Sequence, residues 1–215
     1  MKPIIYQASE ATTIVMSFLA LLITAGLIFF LARGFFKERK RYLEEKEMQM
    51  EGVISRSAIS SIVTTYIAKH GRETAFSLLY IDLDKFTDFV NAFGQKESEK
   101  ILERIVKNIE SVIPRSTKVA RFQQDEFLIF LSGEYDRTDA VDLANKIKAA
   151  VARPIKLFGD TQINATGSIA VAFFPVHGST MKDLVNSLKI ATYIVKKNGG
   201  NNIRVYSDEL GVEGG

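Results

Sequence analysis

From Thr12 to Ala32 the chain carries no charged side chain, and Ile, Leu, Phe, Val and Ala make up most of the run. About 20 apolar residues in a helix cover the ~30 Å of hydrocarbon in a bilayer. The segment 12–32 meets that length and is expected to be one transmembrane helix. A cleaved secretory signal would have a shorter apolar core and a small-x-small cleavage site, and neither is evident. Arg33, Lys37, Arg39, Lys40 and Arg41 follow at once, whereas the arm of residues 1–11 has Lys2 against Glu10. Basic residues are retained on the cytoplasmic side. The expected arrangement is therefore single-pass in the inner (cytoplasmic) membrane, with the N-terminus outside and everything after Arg33 in the cytoplasm.

Residues 33–52 are rich in Lys, Glu, Arg and Met, which predicts a helical stalk. Glu44 and Glu45 lie within helical reach of Arg41. Leu43, Met50 and Ile54 offer an apolar seam for a dimerising coiled coil, but too few heptads to establish one. The rest of the chain reads as one domain. Of 215 residues 47% are hydrophobic, enough for an ordinary core. The net charge of +3, with basic and acidic residues interspersed, gives no reason to expect nucleic acid. With no cysteine, disulfides, thiolate catalysis and thiolate metal sites are excluded.

Periodicity then orders the elements. Val53 to His70 has apolar residues at helical spacing and ends at Gly71. Phe76 to Ile81 reads as a strand. Phe86, Phe89, Val90 and Phe93 form a short helical face closed by Gly94, and a second helix runs from about Ile101 to Pro114. Lys118–Phe122 and Phe127–Leu131 read as strands. Asp136 or Thr138 caps a helix ending before Pro154. A short strand, Ile155 to Phe158, turns at Gly159-Asp160 into a long one, Thr161 to Phe174. Thr180 with Asp183 opens the last helix as a capping box, with Leu184, Leu188, Ala191, Tyr193 and Val195 inside. Asn198-Gly199-Gly200-Asn201 ends it before a final strand, Ile203 to Tyr206. Strands alternating with helices, some joined by hairpins, predict an α/β sandwich around a mixed central sheet. His70 and His177 are each isolated and read as surface or loop residues.

Chemistry concentrates in two places. Arg121-Phe122-Gln123-Gln124-Asp125-Glu126-Phe127 is a hairpin with two carboxylates at its tip, and Ile81-Asp82-Leu83-Asp84 ends an apolar strand with another pair. If the two strands are neighbours, Asp82 and Asp125 meet at one edge. Clustered carboxylate oxygens suit hard divalent cations, and Mg²⁺ takes one or two from protein and the rest from phosphate and water. Two ordinary acidic turns would read the same way.

The pair Ile81-Asp82-Leu83-Asp84-Lys85-Phe86 and Arg121–Phe127 resembles the GGDEF domain of diguanylate cyclases, over about residues 53–207. That family joins two GTP molecules across an antiparallel dimer, with metal charge and in-line positioning carrying most of the work. The resemblance implies Asp82 and Asp125 as metal ligands, with the Leu83 carbonyl as a third. It implies Glu126 beside the nucleotide and Lys196 on phosphate. It also marks losses. The signature glycines are Gln123 and Gln124, which add a Cβ and a long side chain where backbone must approach the nucleotide. The guanine-reading Asn aligns with Val90, and its acidic partner with Glu99. The second phosphate-binding residue, an Arg, aligns with Gly200. The D-x-L-T-G-L-x-N-R turn is replaced by Gly52–Ala58, and Pro114–Lys118 lacks the R-x-x-D of product inhibition. A degenerate GGDEF domain is expected, with no cofactor, Mg²⁺ entering only with a nucleotide, and GTP binding doubtful. The chain ends soon after the domain, at a tail of residues 208–215. Its expected role is that of a scaffold or regulatory partner of a protein, as a homodimer through stalk or domain. A weak cyclase and a non-catalytic nucleotide sensor are the alternatives.

Overall fold

The computed structural model describes residues 4–47, 50–133, 135–157 and 161–207, and side chains for 12–39 and from Met50 onward within those ranges. The tail 208–215, the Gly159-Asp160 turn and the side chains of Arg41, Leu43, Glu44 and Glu45 lie outside them. The chain forms two compact units, Met1–Glu47 and Met48–Gly215.

The first unit is helix α1, Ile4–Glu47, 44 residues without a break. Its stretch Thr12–Arg39 is long and apolar enough to cross a membrane, and none of it is buried against protein. Ile14, Phe18, Phe29 and Phe30 lie exposed. A helix that is apolar all round has no polar face to give to water. The boundaries at 12 and 33 are thus changes of chemistry within one helix. Met50 and Ile54 do not extend a stalk seam: Met50 is buried in the core of the second unit and Ile54 lies in its sheet.

The second unit is built on a six-stranded mixed sheet in the order β1-β3-β4-β2-β7-β8. Its strands are β1 (Ile54–Ser55), β2 (Phe76–Leu83), β3 (Val119–Arg121), β4 (Glu126–Leu131), β7 (Gly167–Phe174) and β8 (Ile203–Val205). A separate two-stranded hairpin is formed by β5 (Ile155–Lys156) and β6 (Gln162–Ile163). Alternate β2 residues face opposite layers. Leu79, Ile81 and Leu83 pack with helices α3 (Phe86–Glu110) and α4 (Arg137–Val151). Phe76, Leu78 and Tyr80 pack with α2 (Arg56–His70) and α5 (Met181–Lys197). Burial on both faces explains why β2 reads as a continuous apolar run rather than an alternation. The α/β sandwich with a mixed sheet is as expected.

Local differences have local causes. The segment beginning at Val53 is not helical from its start: Ile54 and Ser55 pair in parallel with Ala120 and Arg121. Ser55 then caps α2, its Oγ accepting from Ala58 N at 3.1 Å. On α2, Ile59 and Val63 are buried whereas Ile62 is exposed. The strand after residue 76 runs two residues further than its apolar pattern, because Asp82 and Leu83 still pair with Ser168 and Gly167. Gly94, at φ 76, breaks α3 as expected, and α3 ends at Glu110 before Pro114 is reached. The long strand expected from Thr161 is split into β6 and β7. Thr180 and Asp183 form the expected capping box, but Tyr193 is 65% exposed. His177 braces its loop, its Nδ1 accepting from Phe173 N at 3.1 Å while Ser187 Oγ donates to its carbonyl at 2.7 Å.

The end of β2 is fastened by Asp84. Its carboxylate accepts from Thr166 Oγ1 at 2.8 Å, Ser168 Oγ at 2.6 Å and Asn201 N at 2.8 Å. One side chain thereby ties together the ends of β2 and β7 and the turn after α5. Hydrogen bonds to a charged group contribute about 1.5–3 kcal/mol each, and Ser168 is fully buried. Asp84→Ala is expected to lower stability by about 2–4 kcal/mol. The check is the urea-unfolding midpoint of the full chain in detergent.

Candidate functional site

Register brings the acidic residues together. β2 and β4 are antiparallel with Asp82 opposite Glu126, and Leu83 N donates to the Asp125 carbonyl at 3.2 Å. Asp82 lies on the same face of β2 as Tyr80, the face covered by α5, and from α5 Lys196 Nζ donates to Asp82 Oδ1 at 2.5 Å. It also reaches the Leu83 carbonyl at 3.4 Å. Four of the residues implied by the resemblance, Asp82, Asp125, Glu126 and Lys196, therefore share one edge.

Burial dominates the electrostatics of this edge. It pushes Asp82 up to about 6 against the pull of Lys196, and the nearby Asp125 and Glu126 charges add to the rise. Asp125 is also raised by burial, with Lys196 and Arg121 drawing it back. Beneath them Tyr80 is raised by burial and then by Glu126; Tyr80 Oη and Glu126 Oε2 are buried without a hydrogen bond of ordinary geometry.

In kind, two aspartates and a carbonyl suit a hard cation. As arranged, a cation there would have to displace Lys196. Lys196 stands on Asp82 Oδ1 and the Leu83 carbonyl, two of the oxygens a metal needs.

The remaining positions are turned toward the protein. Val90 packs with Phe89 against the core. Glu99 is gripped by Arg121, whose Nη1 and Nη2 donate to Oε2 and Oε1 at 2.8 and 2.9 Å. Gln95 Nε2 adds a longer bond to Oε1 at 3.3 Å. Arg121 is only 3% exposed and also donates to the Gln124 carbonyl, from Nε at 3.0 Å and Nη2 at 2.7 Å. It thus ties the hairpin tip to α3. Sequence reasoning gave Arg121 no role, although a lone basic residue within Val119-Ala120-Arg121-Phe122 was the available signal.

Gln123 and Gln124 are exposed at the tip. Neither has positive φ, since Lys85 and Asn201 are the non-glycine residues that do among those described. Gln here is accommodated without backbone strain, and what it changes is side-chain bulk. Gly200 lies beyond the end of α5 at φ 74, and a Cβ there would come within 2.9 Å of Asp84 Oδ1. A side chain there would first have to shift the Asp84 carboxylate.

A family model described as diguanylate cyclase, GGDEF domain, matches residues 49–202. The chain belongs to the GGDEF family. It is 28% identical over 157 residues to the signaling protein YkoW of Bacillus subtilis, covering 73% of this chain and 20% of that one. It is likewise 28% identical over 129 residues to the diguanylate cyclase TpbB of Pseudomonas aeruginosa, covering 60% and 30%. This GGDEF chain thus spans between a fifth and a third of the length of those curated relatives. The solved GGDEF domain of TpbB superposes with TM-score 0.68 at 24% identity over 74% of this chain and 99% of that chain, a likeness of fold. The diguanylate cyclase SiaD of Pseudomonas aeruginosa, solved in complex with its activator SiaC, gives TM-score 0.66 at 18% identity over 93% and 77%.

The raised Asp82 makes a signed prediction. Between the unfolded value of 3.8 and the folded value of about 6, the folded state holds a proton that the unfolded state has released. Stability therefore falls as pH rises through that window, and the penalty is complete above it. Asp82→Asn is expected to stabilise the chain by about 1–2 kcal/mol at pH 7.5, allowing for the lost Lys196 partner, with the gain vanishing near pH 4. Thermal unfolding of both proteins across that range is the measurement.

Proposed function

We propose that this chain is a membrane-anchored, catalytically inactive GGDEF domain that acts as a scaffold or regulatory partner in a membrane-associated or cyclic-di-GMP-related assembly. One observation carries the reading. Both positions that read guanine by the family resemblance are taken up by the protein itself: Val90 packs on the core, and Glu99 is held by Arg121. A polar recognition site that loses a hydrogen-bonding group forfeits on the order of 10⁴ in discrimination. Gln123, Gln124 and the lysine seated on Asp82 act in the same direction.

A protein partner is the natural output for such a domain, and a relative of the same fold has been solved with an activator bound. Self-association through α1 or the domain is compatible with this role. In this reading α1 anchors the chain in the inner membrane with its N-terminus outside and the domain in the cytoplasm. No resident cofactor is needed. The second reading, a weak diguanylate cyclase or a GTP sensor with Mg²⁺, is favoured by Asp82, Asp125, Glu126 and Lys196 still sharing one edge.

Full-length protein incubated with GTP and Mg²⁺ is expected to form no cyclic dinucleotide by chromatography. Steady product that disappears in Asp125→Ala would establish the second reading instead. Gln123→Gly with Gln124→Gly is expected to leave GTP affinity weaker than about 10 μM by calorimetry, because Val90 and the Arg121–Glu99 pair remain. The full-length chain is expected in the membrane fraction and to need detergent for extraction. Its recovery in the soluble fraction without detergent would remove the anchor.

A further inference from the structure

A concave region lies away from the acidic edge. Helices α2 and α5 flank a groove of about 660 Å³ whose floor includes Phe122, the residue after β3. The volume falls in the ordinary range for small-molecule sites, about 300–1,000 Å³. None of Asp82, Asp125, Glu99 or Lys196 lines it.

The charge of the groove has one sign. Arg56, Lys182 and Lys189 line it, and no carboxylate does. None of the three forms an ion pair among the described residues. The Arg56 guanidinium lies 4.3 Å above the Phe122 ring, and Lys189 Nζ lies 6.0 Å from the same ring. Two cations drawn to one ring repel each other, and an anion between them relieves that repulsion. The acid adjacent in sequence, Asp183, is engaged in the α5 cap, whose Ser179 and Thr180 line the groove. Its carboxylate accepts from Ser179 Oγ and Thr180 N in the α5 cap, and the Thr180 side chain first, then these groups, hold it below the usual carboxylate range.

We propose that this groove binds an organic phosphate: a phosphate group on Arg56 and Lys189, joined to a planar or apolar body. A guanidinium and two ammonium groups are phosphate-binding chemistry. A bare phosphate fills a small part of the volume, while Ile67, Met181 and Val185 supply apolar wall for an attached body. Thr64 adds a hydroxyl along α2, where Ser60 Oγ donates to the Arg56 carbonyl at 2.7 Å. The site has a built-in consequence. Phe122 directly precedes Gln123, and its N–H donates to the Glu126 carbonyl at 2.7 Å. A ligand that draws Arg56 off the ring acts on the root of the hairpin. This inference holds whether or not the acidic edge turns over nucleotide.

The test is calorimetry on the full chain in non-ionic detergent at low salt, with naphthyl phosphate and adenosine 5′-monophosphate as probes. At least one is expected to bind with Kd below about 1 mM, and inorganic phosphate and naphthol at least tenfold more weakly. Lys189→Glu and Arg56→Gln should each weaken binding about tenfold or more, whereas Asp125→Asn should leave it unchanged. Lys182→Glu, on an exposed side chain, gives the same readout should either of the others melt early. Neither probe binding below 1 mM would overturn the proposal. So would binding that survives Lys189→Glu and Lys182→Glu, or that is lost in Asp125→Asn. A polyglutamate peptide binding more tightly than both probes would assign the groove to an acidic protein segment and equally overturn it.

Discussion

The acidic edge hangs from β2, which is paired along its whole length with β7 on one side and from Ser77 to Asp82 with β4 on the other. Helices cover both of its faces. Such a strand has no freedom to shift register, because a one-residue slip would move every apolar side chain to the wrong layer. Whatever stands at its C-terminal end is therefore delivered to a fixed point. Asp82 meets β4 and α5 there, and Asp84 meets β7 and the turn after α5.

That fixed point is short of positive charge and finds it within the chain. Lys196 reaches down from α5 to Asp82, and Arg121 rises from β3 to Glu99 and the hairpin tip. The two contacts differ in character. Arg121 is enclosed and makes four hydrogen bonds in a planar fork, so removing it would untie the partly exposed Glu99 and the Gln124 carbonyl from each other. Lys196 is over a third exposed and can exchange its partner for water. The first contact is architecture, and the second is a counter-charge that a competing cation would have to displace.

Much of this was legible in the sequence, because periodicity and capping are local. The Thr180–Asp183 capping box, the Gly94 break and the apolar run of β2 each declare themselves within a few residues. So did the meeting of Asp82 with the hairpin, since it follows from two strands being neighbours. What escaped was set by distant partners. Ile54 and Ser55 are strand because β3 lies beside them, not because of their neighbours in sequence. Tyr193 falls on an interior-looking position of α5 yet faces out. Arg121 was visible as an oddity in an apolar strand, but its partner Glu99 stands 22 residues away across the β3–α3 contact.

The closeness of Gly200 to Asp84 couples the turn after α5 to the end of β2. A side chain at 200 must first have room, which means moving or shortening the carboxylate at 84. Yet that carboxylate fastens Thr166, Ser168 and Asn201, so changing it first loosens three segments at once. The space above the Asp84 carboxylate is thus shared between the turn after α5 and the ends of β2 and β7, so any group added at 200 is felt first at those strand ends.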